Sequence, residues 1–126
     1  MTGAVGQGPR TFDEFWPRYV GAHRRPGCRA LHYVGGVAAL AAIGYGAWSM
    51  SLWPLLVAPV IGYGFAWTGH FCVERNRPAT FGAALWSLRG EFKMLRLGLT
   101  GRMAGEVARL YGSSAPSPDA PLLVER

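Results

Sequence analysis

The central part of this sequence lacks charge. No Asp, Glu, Lys or Arg occurs in the 44 residues 30–73, although the 126-residue chain has a net charge of +6. A membrane-spanning helix needs about 20 mostly apolar residues, so this run has room for two. It is also too long and too far along the chain to be a signal peptide. We therefore interpret the basic residues as flanks of a membrane segment and expect no nucleic-acid partner.

The sequence also has few cysteines and lacks the signatures of several common active sites. Its two cysteines, Cys28 and Cys72, lie outside any metal or redox spacing such as Cys-x-x-Cys. We expect both to be reduced and to pack as small hydrophobes. Glycine-rich spots such as residues 44–46 have no phosphate-loop context. No nucleophile–base arrangement typical of covalent catalysis is evident.

The two ends of the chain differ from its middle. Residues 1–10 are rich in glycine and have no helical periodicity, and residues 113–126 contain three prolines. Such segments bury too little apolar surface to offset the entropy lost on ordering. We predict disorder at both ends, which leaves a single helical membrane domain over residues 11–112.

The uncharged run predicts an all-α fold built on a membrane hairpin of two spans. Only the stretch SMSLWP within it is typical of a turn, with Trp48 and Trp53 at the expected interfacial depth. We predict one span over about residues 31–50 and another over about residues 54–73. Small residues four apart would let the two helices pack closely. They are Ala38, Ala42 and Gly46 in the first span, and Ala58, Gly62 and Ala66 in the second.

Basic residues predict the orientation of this hairpin. They crowd its open end, at Arg24, Arg25, Arg29, Arg75 and Arg77, and none lies at the turn. Cytoplasmic ends of membrane helices carry an excess of Lys and Arg, so the open end and both termini should be cytoplasmic. The Gly, Ala and Arg content favours a bacterial source. We therefore expect a multi-pass protein of the inner membrane, in contact with lipid.

Amphipathic helices at the membrane interface are predicted on both sides of the hairpin. The first opens with the capping-box spacing of Thr11 and Glu14 and carries an aromatic face. Pro17 predicts either a kink in this helix or a helix that begins there. The second should follow Pro78, which suits a first helical residue. Its apolar stripe comprises Phe81, Leu85, Leu88, Phe92 and Leu95.

The three histidines of the chain are predicted to meet at the open end of the hairpin. His32 begins the first span and His70 lies near the end of the second. Antiparallel packing brings these two positions to one membrane level. His23 comes just before the turn that leads to His32. Glu74 follows His70 by four residues, a spacing that places both side chains on one helical face.

Ionisable side chains at membrane depth are costly and usually face the interior of a helix bundle, which makes them candidates for function. Two or three imidazoles with one carboxylate form the ligand set of non-haem Fe(II) oxygenases, and zinc accepts similar ligands. Other interpretations remain open. His32 and His70 would suit the axial positions of a haem in an electron-transfer protein. Alternatively, the histidines belong to a non-catalytic membrane scaffold, and Glu74 pairs with Arg75 or Arg77.

Two stretches of the chain resemble one family of small membrane proteins. They are FWPRYVGAHRRPGCRALHYVGG and GYGFAWTGHFCVERNRPATF, and the resemblance extends over about residues 12–101. Its most specific parts are residues 19–23, 31–32, 69–70 and 74–81. The family was long described as a domain of unknown function. Its yeast member is a 2-hydroxy fatty acid dioxygenase of phytosphingosine degradation.

This resemblance implies an Fe(II)-dependent enzyme that uses O₂ to shorten a 2-hydroxy fatty acid by one carbon, a reaction called α-oxidation. The implied iron ligands are His23, His32 and His70, with Glu74, water or substrate in a further position. A guanidinium suits a carboxylate, so basic residues at the open end should attract the acid group of the substrate. The candidates are Arg24, Arg25 and Arg75.

Overall fold

A computed structural model of the chain describes residues 8–78 and 82–123. Within these residues the fold is all-helical, as predicted, and has no strand. In chain order the elements are α1 (Phe12–Gly21), α2 (Pro26–Ser49), α3 (Trp53–Thr68), a π-helical segment (Gly69–Glu74) that continues α3, α4 (Ala84–Leu99) and α5 (Met103–Tyr111).

Helices α2 and α3 form the predicted hairpin. Residues 50–52 join them, and Met50 adopts left-handed backbone angles (φ 55°) where the chain reverses. The helices approach closely at Gly35, where a Cβ atom would lie 2.6 Å from the Cβ of Phe65. Gly35 lies outside the predicted small-residue stripe, whereas Ala58 and Ala66 belong to it and are buried. The turn and the tight helix pairing are therefore as the sequence predicts.

Both hairpin helices are long and apolar enough to cross a membrane. Helix α2 makes one candidate span, and α3 with the π-helical segment makes the other. Only 17% of the most apolar stretch of each is buried, so side chains such as Val34, Leu40 and Val60 are exposed. The core helix of a soluble protein would bury most of these residues. Exposed apolar helices of this length favour a lipid environment.

The aromatic face of α1 is buried within the protein, against α4 and α5. The indole N–H of Trp16 donates to Glu106 Oε1 (2.9 Å), and the Tyr111 hydroxyl donates to the carbonyl of Pro17 (2.8 Å). Both bonds join α1 to α5, and the two helices share an apolar core. The core comprises Phe12, Phe15, Trp16, Tyr19, Val20, Met94, Met103, Val107, Leu110 and Tyr111.

Helix α1 begins at Phe12 because Thr11 caps it. The Thr11 hydroxyl accepts the N–H of Glu14 (3.2 Å), as the capping-box spacing predicts. The Glu14 carboxylate in turn accepts the N–H of Arg10 (2.8 Å). Pro17 lies inside the helix, so the alternative of a helix that begins at Pro17 is wrong.

Helix α4 begins at Ala84, so a helix starting directly at Pro78 is wrong. Phe81 of its predicted stripe lies outside the described residues. Packing also differs from the predicted pattern, because Ser87 and Gly90 are buried while Leu88 and Phe92 are half-exposed. The reason lies in α1, whose Tyr19 ring packs on α4. A Cβ atom at Gly90 would lie 3.2 Å from that ring.

Residues 113–123, part of the predicted disordered tail, follow an irregular course along the helices. Buried Arg29 donates from Nη2 to the carbonyl of Ser114 (2.8 Å), and Arg24 donates from Nη1 to that of Ser117 (2.6 Å). The N–H of Leu123 donates to the carbonyl of Leu110 (2.7 Å). Residues 1–7 and 124–126 of the predicted disordered ends lie outside the described part of the chain.

Substituting Gly35 tests the tight contact within the hairpin. Gly35→Ala should lower the free energy of unfolding by about 1–3 kcal/mol, because the added methyl group overpacks against Phe65. Gly44→Ala is the matched control on the same helix, since a Cβ atom there meets nothing described within 4 Å. The measurement is thermal or denaturant unfolding in detergent. Equal stability of the two variants would contradict the observed packing.

Candidate metal centre

The three histidines converge at the open end of the hairpin. His23 follows α1, His32 lies in α2 and His70 lies in the π-helical segment. One ring nitrogen from each lies within 4.8 Å of one from each of the others, and all three side chains are buried. The ring centroid of His23 is 4.5 Å from those of His32 and His70, which are 5.0 Å apart. The structure thus brings together all three histidines that the sequence singles out.

A carboxylate from another helix holds His32. Glu91 of α4 lies with its Oε2 and Oε1 atoms 2.7 and 3.0 Å from Nδ1 of His32. The Tyr19 hydroxyl also donates to Glu91 Oε2 (2.7 Å). With a carboxylate as its acceptor, Nδ1 of His32 carries a proton, and in the neutral ring this leaves the lone pair on Nε2. Glu91 therefore determines both the tautomer and the orientation of this ring.

An asparagine side chain likewise holds the ring of His70 in one orientation. Asn76 donates from Nδ2 to the carbonyl of Ala22 (2.9 Å), which fixes the orientation of its amide. Its Oδ1 therefore faces Nδ1 of His70 (2.8 Å) and accepts the ring proton. The chain reaches this position through a left-handed residue, Arg75 (φ 58°), at the end of the π-helical segment. π-Helical turns are frequent at functional sites.

His23 completes the group from the end of α1. Its Nδ1 bonds to the carbonyl of Tyr19, one turn earlier, so this nitrogen too carries the proton. Complete burial lowers the pKa of His23 well below its usual range, and the neighbouring His32 and His70 lower it further. The ring is therefore neutral at pH 7.

These bonds leave ring nitrogens with unused lone pairs inside the protein. Among the described residues, nothing bonds to the buried Nε2 atoms of His23 and His32. Burying a polar atom without a partner is costly, and such atoms in native proteins require an explanation. Imidazoles whose Nδ1–H groups are bound by protein oxygens are typical ligands of a metal ion. The three residues thus fit a metal, and imidazole nitrogens suit iron, zinc, copper or nickel.

Glu74, predicted as a further ligand, is not brought to this group. Its Oε1 accepts the backbone N–H of Arg25, the residue that precedes α2. A carboxylate is favoured there because the amino end of a helix carries partial positive charge. Spacing from His70 alone did not reveal this competing partner. Among the described residues, the group that could hold a metal is therefore the three histidines without Glu74.

The three arginines proposed to attract a carboxylate lie away from the histidines. Arg24 donates hydrogen bonds to the carbonyls of Gly21, Ser117 and Ala120, and its guanidinium lies over the Tyr111 ring. These contacts, and not the histidines, hold its side chain. Arg25 and Arg75 are exposed at the open end of the hairpin. None of the three is among the described residues that line the cavity beside the histidines.

That cavity, of about 360 Å³, lies between α2, α3 and α4. Its polar end is lined by Tyr19, His32, His70 and Glu91. Mostly apolar residues line the rest, together with Ser87, as far as Ile43 near the hairpin turn. The distance along α2 from His32 to Ile43 is about 16 Å at the rise of an α-helix. The cavity is thus a mostly apolar space with His32 and His70 at one end.

Glu91 and Asn76 are the site residues that sequence reasoning missed. A signal existed for both. Glu91 is four residues from Ser87 and from Leu95, which places the carboxylate on a mostly uncharged side of α4. Asn76 lies in the ERNRPATF stretch, one of the most specific parts of the family resemblance. Neither signal indicates which histidine the residue would meet.

Comparison with known proteins identifies a family whose model matches this chain. The family model described as 2-hydroxy-palmitic acid dioxygenase Mpo1-like matches residues 9–103, which include the three histidines, Asn76 and Glu91. Neither the curated proteins nor the solved structures give a significant match.

Removing Glu91 tests its support of His32. Glu91→Ala should weaken the binding of a divalent metal such as Zn²⁺ or Co²⁺ by about 10–100-fold, the usual effect of losing an outer partner of a ligand. Glu106→Ala is the matched control, because Glu106 bonds to Trp16 in the apolar core and not to a histidine. Metal titration of the two purified variants provides the measurement. Equal affinities would contradict the role of Glu91.

The lowered pKa of His23 predicts an acid-sensitive metal-free protein. The unfolded chain takes up a proton at His23 near pH 6.5, whereas the folded protein does so only at lower pH. Stability of the metal-free protein should therefore fall as pH drops below about 6.5. His23→Leu should reduce this dependence, as measured by unfolding in detergent between pH 8 and 5. An unchanged pH dependence in the variant would refute the assignment.

Proposed function

The chain belongs to the Mpo1-like family, and we propose that it is an Fe(II)-dependent dioxygenase that shortens 2-hydroxy fatty acids by one carbon. The observation that carries this proposal is the convergence of three buried imidazoles, two of which, His32 and His70, line a mostly apolar cavity. The family description supplies the substrate class. The histidines supply a place for the iron, and the cavity supplies a place for an acyl chain.

His23, His32 and His70 would hold the iron through their Nε2 atoms. When bound, the iron would supply the activation of O₂ that an oxygenase requires. The protein keeps the ligands oriented, because each Nδ1–H is held by an oxygen of Tyr19, Glu91 or Asn76. Three protein ligands leave positions for small oxygen ligands, which is typical of non-haem iron oxygenases.

The apolar cavity suits the hydrocarbon chain of a fatty acid. A methylene group gains about 0.8 kcal/mol on leaving water, so an acyl chain remains in apolar surroundings, whether in lipid or in such a space. The acid end of the substrate would then lie beside His32 and His70, where the cavity becomes polar. Leu40 and Phe92 of the cavity wall are about half-exposed on the surface of the hairpin and α4. We therefore expect the substrate to enter sideways from the lipid.

The packing of the three rings favours a single metal ion over a haem. His32 and His70 have ring centroids 5.0 Å apart, and the His23 ring lies 4.5 Å from both. A porphyrin plane between the axial pair would have to displace His23. A non-catalytic scaffold would also have no use for buried, unpaired nitrogen atoms, which reduce stability.

The distribution of basic residues indicates the topology of the hairpin in the membrane. We propose that the hairpin lies in a bacterial inner membrane, with its open end and both termini in the cytoplasm. Support comes from the basic residues at the open end and their absence at the turn. In this arrangement exposed Arg25 and Arg75 lie near lipid headgroups. There they would attract the carboxylate of a substrate before its chain enters the cavity.

Replacing one histidine tests this proposal. Wild-type protein should bind iron at near one ion per chain after anaerobic Fe(II) addition, and should convert 2-hydroxypalmitate to a fatty acid one carbon shorter. His70→Ala should weaken iron binding by more than about 100-fold, since loss of an outer partner alone costs 10–100-fold. Phe71→Ala is the matched control, because Phe71 is an exposed neighbour in the same segment. Iron and turnover retained in His70→Ala would refute the proposal.

A further inference from the structure

Ser87 of α4 is a buried hydroxyl with unused hydrogen-bonding capacity. Its side chain is 7% exposed, and no group in residues 8–78 or 82–123 bonds to its Oγ atom. A hydroxyl buried without a partner lowers stability, so such a group in a native protein calls for a reason.

Local helix geometry does not supply that reason. Helical Ser and Thr residues usually bond to the carbonyl one turn earlier. Ser49, Thr68 and Thr100 of this protein do so, to the carbonyls of Tyr45, Gly64 and Arg96 at 2.6–2.7 Å. Ser87 departs from this pattern. The carbonyl of Ala83 accepts its backbone N–H (2.8 Å) and not its hydroxyl.

The position of Ser87 suggests a ligand as the missing partner. Ser87 lines the cavity described above and lies one helical turn before Glu91, on the same face of α4. Glu91 already takes the Nδ1–H of His32 and the hydroxyl of Tyr19. The Ser87 hydroxyl therefore remains without a partner beside a cavity whose wall is mostly apolar.

We propose that Ser87 recognises the 2-hydroxyl group of the substrate. This inference rests on the proposed function, because it assigns a role toward the same substrate class. A substrate hydroxyl both donates and accepts, as does Ser87, so the two form a neutral pair that needs no nearby charge. A buried carboxylate would instead require a positive partner, which Ser87 does not provide. The 2-hydroxyl is thus the part of the substrate that Ser87 suits.

Recognition by Ser87 should make the site select 2-hydroxy fatty acids over fatty acids that lack the hydroxyl. A site built to bond a substrate hydroxyl discriminates against an analogue that lacks it, because the buried protein group is then left unpaired. Ser87→Ala removes that group and should leave the binding of the plain acid unchanged or slightly stronger. Alanine also has the highest helix propensity, so α4 should persist.

Equilibrium binding without oxygen tests the inference separately from turnover. Dissociation constants for 2-hydroxypalmitate and palmitate would be measured with full-length, Zn²⁺-loaded protein in nanodiscs. Wild type should prefer 2-hydroxypalmitate, and Ser87→Ala should reduce this preference roughly tenfold at unchanged metal content, the effect of one hydrogen bond. Ser49→Ala is the matched control, because its hydroxyl bonds to its own helix and lies outside the cavity.

An equal preference in wild type and Ser87→Ala would overturn the inference, even if wild type turns over 2-hydroxypalmitate. No preference in wild type would overturn it as well. A Ser87-dependent preference supports it. If the same wild-type protein then fails to convert 2-hydroxypalmitate when Fe(II) and O₂ are added, the proposed function fails while the recognition by Ser87 stands.

Discussion

The arrangement at the open end of the hairpin depends on three hydrogen bonds that the histidine Nδ1–H groups donate to protein oxygens. Burial excludes water, so each imidazole needs a protein acceptor for its ring proton. Glu91, Asn76 and the Tyr19 carbonyl meet that need from α4, the loop after the π-helical segment, and α1. The same bonds leave Nε2 atoms unpaired within the protein. The Glu91–His32 bond also joins α4 to α2, so one contact both orients a histidine and docks an outer helix on the hairpin.

The rest of the fold follows from placing this polar group beside an apolar hairpin. The hairpin exposes its apolar side chains, whereas α1, α4 and α5 bury theirs in a core of their own. Glu91 connects the two parts, because it bonds to His32 of α2 and to the Tyr19 hydroxyl of α1. The cavity lies where α4 packs beside the hairpin, and His32 and His70 form part of its wall.

The hairpin and the meeting of the histidines could be predicted because both follow from simple patterns along the chain. An uncharged run of this length specifies two spans, and antiparallel packing places His32 and His70 at one level. The prediction that Glu74 joins the histidines differs from the structure. Four-residue spacing determines which face of a helix a side chain lies on, but not which group it bonds to, and the Glu74 carboxylate accepts the N–H of Arg25. Glu91 and Asn76 act through contacts with other elements of the fold. Their partners therefore depend on tertiary packing that no local pattern records.

The central claim is that three imidazoles bind one metal ion through Nε2 while their Nδ1 atoms remain bonded to the protein. X-ray absorption at the iron edge of the Fe(II)-loaded protein tests it most directly. The account predicts about three imidazole nitrogens at roughly 2.0–2.2 Å, falling to about two in the His23→Ala variant. A first shell with sulfur, or with no imidazole scattering, would contradict it.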